Sequence, residues 1–450
     1  MPEPTVHGRL SLKTKLGYGI GDLAANLVFQ SILIYLLFYF TDVFGISPSV
    51  AGLVFFLSKI WDGISDPLMG YMADRTRTRW GSKRPFLLVG AIPLGLSFFL
   101  LFTPWPLNAF WKPVYALVML LLVCTFYTVV NIPYGALTAS LTRDANERAG
   151  LTGYRMFFAI SGTLVVAGAT KPLVALAATP QAGFCITAGV YGFFAAVLTL
   201  VTFASVREQE EPERFEKYGL RDIWSILKSN PPFLVLSAGM VLHLTAVGIM
   251  AAMVNYYFKY CQGRESFTTV AFLCIFVSAA VFLPLWVTLS RRLDKKTTFN
   301  LGMGTLALSL GAIYFIRGHE PMLLIPAFVF AGAGISTVYL SPNAMVPDTV
   351  EYSQWKIGLR REGILYGFYY FGQKFASAFA GFIAGIGLEL VRFQPNTVQS
   401  ETALEGIRVL TTIVPIAFIL LGIGVIHFYP IDAAFHERIL AKISAAKESA

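Results

Sequence analysis

The sequence predicts an all-α membrane protein, with twelve transmembrane helices in two six-helix bundles and both termini cytoplasmic. Three observations predict it. The 450-residue chain is 56% hydrophobic and only 14% charged, where a soluble globule has about a quarter of its residues charged. The apolar residues gather into long blocks, and a bilayer-spanning helix needs about 20 of them in succession. Lys and Arg fall in short segments between those blocks, as membrane topology requires. The net charge of +9 is therefore read as topology, and a nucleic-acid partner is not expected.

In chain order, the blocks place helices at 16–42, 49–73, 85–103, 114–141, 151–170 and 183–206, an N-terminal bundle over 1–206. The polar stretch REQEEPERFEKYGLRDIWSILKSNPP makes a cytoplasmic linker over 207–231. Blocks at 232–259, 267–290, 300–316, 322–346, 364–391 and 406–430 form a C-terminal bundle over 232–430, with a cytoplasmic tail at 431–450. Basic residues set the orientation. Arg9, Lys13 and Lys15, then Arg75, Arg77, Arg79, Lys83 and Arg84, then Arg143 and Arg148, the linker, RRLDKK at 291–296, and Lys356, Arg360 and Arg361 share one side. The other side carries only Lys112, Lys171, Lys259, Arg264, Arg317, Arg392 and Arg408, so the first side is cytoplasmic. No short apolar segment with a cleavage site opens the chain, so a removable signal is not expected.

Ionisable residues inside spans carry the functional signal, because a charge at the bilayer centre costs about 2.5–3.5 kcal/mol on insertion scales. The second block, SVAGLVFFLSKIWDGISDPLMGYMA, holds Lys59, Asp62 and Asp66. The two acids lie one helical turn apart on one face, with Lys59 three residues before the first. Two close carboxylates repel, and one Lys neutralises only one of them, so a small cation or a proton would relieve the conflict. A static salt-bridge network is the bland alternative.

Helix 1 carries Tyr18, Asp22, Asn26 and Gln30 at four-residue intervals. Helix 4 brings Tyr127, Thr128 and Asn131, helix 5 opens with Tyr154 and Arg155, and helix 11 has Tyr366, Tyr370 and Lys374 on one face beside Gln373. Rings beside amides and charges suit a polyhydroxylated ligand, although helix–helix hydrogen bonding explains any single residue. His243 stands alone in helix 7 and reads as a packed residue. Cys124, Cys185, Cys261 and Cys274 have no CxxC spacing and read as reduced thiols. Neither a metalloenzyme cluster nor a Walker loop is present, so an enzyme is not expected and transport energy would come from an ion gradient.

The halves echo each other, since PYGALTASLTRDANERAGL follows the fourth helix and PNAMVPDTVEYSQWKIGLRREGI the tenth. Parallel six-helix repeats are the plan of major facilitator transporters, and GYMADRTRTRWGSKRP resembles their signature loop. KLGYGIGDLAAN, IWDGISDPLMGYMADRTRTRWGSKRPF, YTVVNIPYGAL, YRMFFA and VPDTVEYSQWKIGLRREGI together resemble the glycoside–pentoside–hexuronide:cation symporters (melibiose permease-like) over nearly the whole chain. The resemblance implies that Asp62 and Asp66 bind the cation, that Thr128 completes the site, and that Ser65 stands where the type member has an Asn tied to cation choice. It implies sugar contacts at Arg155 and Lys374. The type member's sugar-binding acids on helices 1 and 4 are replaced here by Asn26 and Asn131, and a Trp by Gly135.

The expected function is import of a glycoside, pentoside or acidic sugar with Na+ or H+ by alternating access. Asp22, Asn26, Asn131, Tyr154, Arg155, Tyr366, Tyr370, Gln373 and Lys374 would bind the sugar. Lys59 would couple the sites, while Asp74 and Arg75 of the basic loop and Arg361 of the 347–363 loop would latch the cytoplasmic side. Asp22, Asp62 and Asp66 against Lys59, Arg155 and Lys374 leave one excess positive charge once a cation binds, which leans the substrate towards a uronide or sulfosugar. A lysophospholipid:Na+ symporter and a non-transporting sugar sensor are the alternatives. No cofactor is expected, and the partners are the sugar, the monovalent cation and the lipid bilayer. The expected setting is a bacterial inner membrane, with the monomer as the working unit.

Overall fold

The structure, a computed structural model, describes residues 10–142, 145–208, 227–317, 321–358 and 362–448. Among these the regular structure is helical, apart from an isolated bridge between Thr78 and Gly81, and short loops join the helices. The first compact unit, Met1–Arg214, contains α1 (Leu12–Ser31), continued by π-helical turns to Val43, α2 (Pro48–Arg75), α3 (Arg84–Leu101), α4 (Trp111–Leu141), α5 (Ala145–Ala175) and α6 (Pro180–Ser205). The second unit, Phe215–Ala450, contains α7 (Pro231–Tyr256), α8 (Phe267–Arg292), α9 (Lys295–Phe315), α10 (Ile325–Ile357), α11 (Glu362–Leu390), α12 (Glu401–Thr411), α13 (Ile413–His427) and α14 (Ala433–Glu448).

Side-chain oxygens start many of these helices by accepting an otherwise unpaired backbone N–H. Ser11 caps α1, Thr179 α6, Asn230 α7, Asp294 α9 and Ser400 α12. Among the described residues, ten helical segments are long and apolar enough to cross a bilayer. Two long helices fall outside that set: α2, which carries Lys59, Asp62 and Asp66, and α11, which carries Lys374. The apolar character continues on outward faces. On α3, Leu87, Ala91, Leu94 and Phe98 are buried while Val89, Ile92 and Leu96 are exposed. A helix apolar all round, with one face uncovered by protein, is a helix that lipid covers.

Glycines set the close helix contacts. A Cβ on Gly95 would lie 2.3 Å from the Gly192 carbonyl oxygen, so α3 and α6 touch backbone to backbone. Gly19 and Gly162 do the same for α1 and α5, where added Cβ atoms would lie 3.1 Å from the Tyr154 oxygen and 3.0 Å from the Leu23 oxygen. In the second unit His243 is fully buried, its ring 4.8 Å from that of Phe299, and Gly422 leaves the space its imidazole fills. It is a packing residue. The four cysteines are free thiols.

Three expected elements differ. The fifth helix, expected over 151–170, runs from Ala145 to Ala175, so Tyr154 and Arg155 lie in its third turn and do not open it. The tenth helix, expected to stop at 346, runs to Ile357 and ends at Gly358 with φ +70. Pro342 and Pro347 sit inside it, since proline removes a hydrogen bond without ending a helix held by packing. The expected 347–363 latch loop is therefore helical through 357. The twelfth helix, expected as one segment over 406–430, begins at Glu401 under its Ser400 cap and breaks at Thr412 into α12 and α13.

Candidate functional site

On α2 an outward stripe of Leu53, Leu57, Ile60, Ile64 and Leu68 leaves Asp62, Ser65 and Met69 facing inward and buried. Lys59 Nζ donates to Asp62 Oδ2 at 2.7 Å. That single bond leaves Asp62 Oδ1 buried, and neither it nor the buried Ser65 Oγ has a hydrogen-bond partner among the described residues. One turn on, Asp66 Oδ1 accepts the Thr128 hydroxyl at 2.7 Å. Trp61 Nε1 donates to Thr125 Oγ1 at 2.8 Å, a second polar tie between α2 and α4. Thr128 is only 2% exposed and Asp62 4%. Leaving two buried oxygens unpaired costs about 1–3 kcal/mol each, and hard monovalent cations take oxygen ligands. This donor set fits a small cation.

Helix α1 presents a second network. Asp22, 7% exposed, accepts from Arg155 Nε at 2.6 Å and Nη2 at 3.4 Å, and from the Tyr134 hydroxyl at 2.7 Å. The guanidinium lies 5.0 Å from the Tyr134 ring centroid and 5.7 Å from that of Tyr18. Tyr18 donates to the Tyr134 carbonyl at 2.9 Å and shares a 2.6 Å hydrogen bond with Thr138. Gly21 gives the Tyr134 ring its place against α1, because a Cβ there would lie 2.6 Å from the ring. Asn26 donates to the Asp22 carbonyl at 2.8 Å, and its own oxygen takes weak bonds from Gln30 and Thr163. Asn131 and Tyr154 are half-buried on α4 and α5, and the Tyr154 carbonyl packs against Gly19 of α1. Tyr127, half-buried on α4, has its ring centroid 6.3 Å from that of Phe29 on α1.

In the second unit, Tyr366 and Tyr370 on α11 have ring centroids 6.3 Å apart, and half-buried Gln373 and Lys374 follow on the next turn. Tyr369, buried behind them, donates to Asn343 of α10 at 3.4 Å. Arg75 lies over the Tyr71 ring, 4.3 Å from its centroid. Arg361 falls outside the described residues, as does the Asp74 side chain.

The structure thus brings Lys59 to Asp62, Thr128 to Asp66, and Arg155 to Asp22, and keeps Ser65 buried between the two acids in sequence. Sequence reasoning missed Tyr134, Thr138, Thr163 and Asn343 as parts of these networks. Tyr134 and Thr138 lie three and seven residues after Asn131, a helical spacing that was available as a signal.

The family model for MFS/sugar transport proteins matches residues 17–433. The chain belongs to that family. It is a multi-pass membrane transporter and not an enzyme. Among relatives of this transporter is the putative glycoside/cation symporter YagG of Escherichia coli, 32% identical over 91% of the chain and 89% of the relative. The putative sulfoquinovose importer of Salmonella typhimurium is 30% identical over 98% and 94%. In fold, the transporter resembles the crystal structure of the nucleoside transporter NupG, with a TM-score of 0.65, 12% identity, and coverage of 93% of this chain and 100% of that one.

Proposed function

We propose that this transporter imports a sugar together with Na+ or H+ by alternating access, through twelve spans with both termini cytoplasmic. One observation carries the coupling reading: Asp62 Oδ1 and Ser65 Oγ are buried with no hydrogen-bond partner among the described residues, next to an Asp66 held by Thr128. A cation at these oxygens satisfies both of them and adds positive charge beside the two carboxylates. By linkage, whatever factor the cation adds to sugar affinity, the sugar adds to cation affinity. Coupling is assigned to Lys59, which pairs with Asp62 at 2.7 Å. Sugar contacts are assigned to Asp22, Asn26, Asn131, Tyr154 and Arg155 in the first unit and to Tyr366, Tyr370, Gln373 and Lys374 in the second. Asp74, Arg75 and Arg361 take the cytoplasmic latch. The two bundles span 1–206 and 232–430, the linker 207–231 and the tail 431–450, in a bacterial inner membrane and as a monomer.

An acidic sugar is favoured over a neutral one because Asp22, Asp62 and Asp66 against Lys59, Arg155 and Lys374 leave one excess positive charge once a cation binds, with Arg155 itself paired to Asp22. The putative sulfoquinovose importer, 30% identical, is consistent with that lean, and the isoprimeverose transporter of Lactiplantibacillus pentosus, also 30% identical, is the counterweight that the uptake test decides. Gradient-driven uptake in membrane vesicles tests both levels. Asp66→Asn is expected to abolish accumulation against a gradient, and unchanged coupled uptake would refute the coupling site. In the wild type, a glucuronide is expected to compete better than the matching neutral glucoside. Inhibition by the neutral sugar alone would end the acidic-sugar assignment while leaving symport intact.

A further inference from the structure

At the end of the first unit, the loop between α2 and α3 meets the residues that leave α6 in an arrangement the transport reading does not use. The Glu208 carboxylate accepts three successive backbone N–H groups, from Ser82 at 2.9 Å, Lys83 at 2.8 Å and Arg84 at 2.9 Å, and the Ser82 hydroxyl at 3.0 Å. These are the N–H groups that the start of α3 leaves without helical partners. In the opposite direction, Arg84 Nη2 and Nε donate to the Phe203 carbonyl in the last turn of α6, at 2.8 and 3.2 Å. The same guanidinium lies 4.7 Å from the Phe203 ring centroid, and Trp80 meets that ring edge-on at 6.1 Å. Gly81, with φ +108, is the floor: a Cβ there would sit 2.4 Å from Glu208 Cδ.

Each contact matches the sign of the helix end it meets, an anion at the positive start of α3 and a cation at the negative end of α6. We propose that Glu208 and Arg84 form a reciprocal clasp, which locks the exit of α6, the 76–83 loop and the start of α3 into one mechanical element. Displacing Glu208 uncaps α3, and displacing Arg84 uncaps α6, so neither helix end moves alone. Burial pushes the Glu208 carboxyl up, but the N–H groups of Arg84, Ser82 and Lys83 and the Ser82 hydroxyl outweigh it and hold the group below the usual glutamate range. Such a group stabilises the fold above its unfolded value of about 4.3, and the contribution fades as pH falls through the lowered folded value.

The test is thermal unfolding of the purified full-length protein in detergent. Glu208→Ala is expected to lower the midpoint by about 2–4 °C, the loss of one helix cap in a unit of this size. Sodium acetate, but not sodium chloride at equal ionic strength, should restore part of that loss in Glu208→Ala and do nothing for the wild type. Arg84→Gln should also lower the midpoint, with the double variant losing less than the sum. An unchanged Glu208→Ala midpoint, or strict additivity with no acetate effect, would overturn the clasp. Should Glu208→Ala fail to fold, Glu208→Gln serves: its deficit against wild type should be full at neutral pH and shrink below about pH 4. A deficit that is absent or independent of pH would be equally fatal.

Discussion

Single residues in this protein matter mainly through what they leave uncompensated. Arg155 and Asp22 form a largely buried ion pair at 2.6 Å, with side chains 22% and 11% exposed. Removing one partner of such a pair costs about 3–5 kcal/mol, because the other charge stays buried alone. Arg155→Ala is therefore expected to lower the unfolding midpoint sharply, and Asp22→Asn added to it should recover much of the loss. An additive double variant would mean the pair is not a unit. The sequence displayed Asp22 and Arg155 as isolated polar residues on different helices. Their pairing was illegible because it depends on how α1 meets α5 through Gly19 and Gly162, a three-dimensional register that no one-dimensional spacing encodes. Asp62 and Asp66 were legible for the opposite reason, since both lie on one helix and the helical period alone puts them on one face.

At the scale of elements, packing decides what propensity leaves open. The contact of α3 with α6 is backbone on backbone, and a Cβ on Gly192 would lie 2.5 Å from the Gly95 oxygen. Gly192→Ala is expected to force these helices apart at a cost of about 1–3 kcal/mol, the usual range for overpacking. Thermal unfolding checks it, and a neutral result would show that the contact has slack. Helix starts and apolar blocks were readable from the chain because caps and hydrophobic length are local properties. The extension of α10 through Pro347 and the break at Thr412 were not. A proline inside a helix costs about 3 kcal/mol, and only surrounding packing, invisible to a linear reading, shows whether that cost is met. The role of the basic loop was half-legible. Its motif stood out in the sequence, but its resident partner Glu208 lies 124 residues or more from the N–H groups it accepts.

At the scale of the whole molecule, a cation settles buried oxygens, Asp62 Oδ1 and Ser65 Oγ, that have no hydrogen-bond partner among the described residues. Membership of the sugar-transport family came from motifs spread along nearly the full length, which is why the chain alone made it readable. The identity of the ion was not readable, because Ser65 offers an oxygen to Na+ and leaves an adjacent carboxylate to H+ with equal chemistry. The most direct test needs no sugar. Purified wild type and an Asp62→Asn/Asp66→Asn variant are heated in detergent with Na+, with Li+ or with choline, each at two pH values. The account predicts that Na+, Li+ or the lower pH raises the wild-type midpoint relative to choline at the higher pH, and that the variant loses this response entirely. A variant whose midpoint still follows the ion or the pH as the wild type does would contradict it.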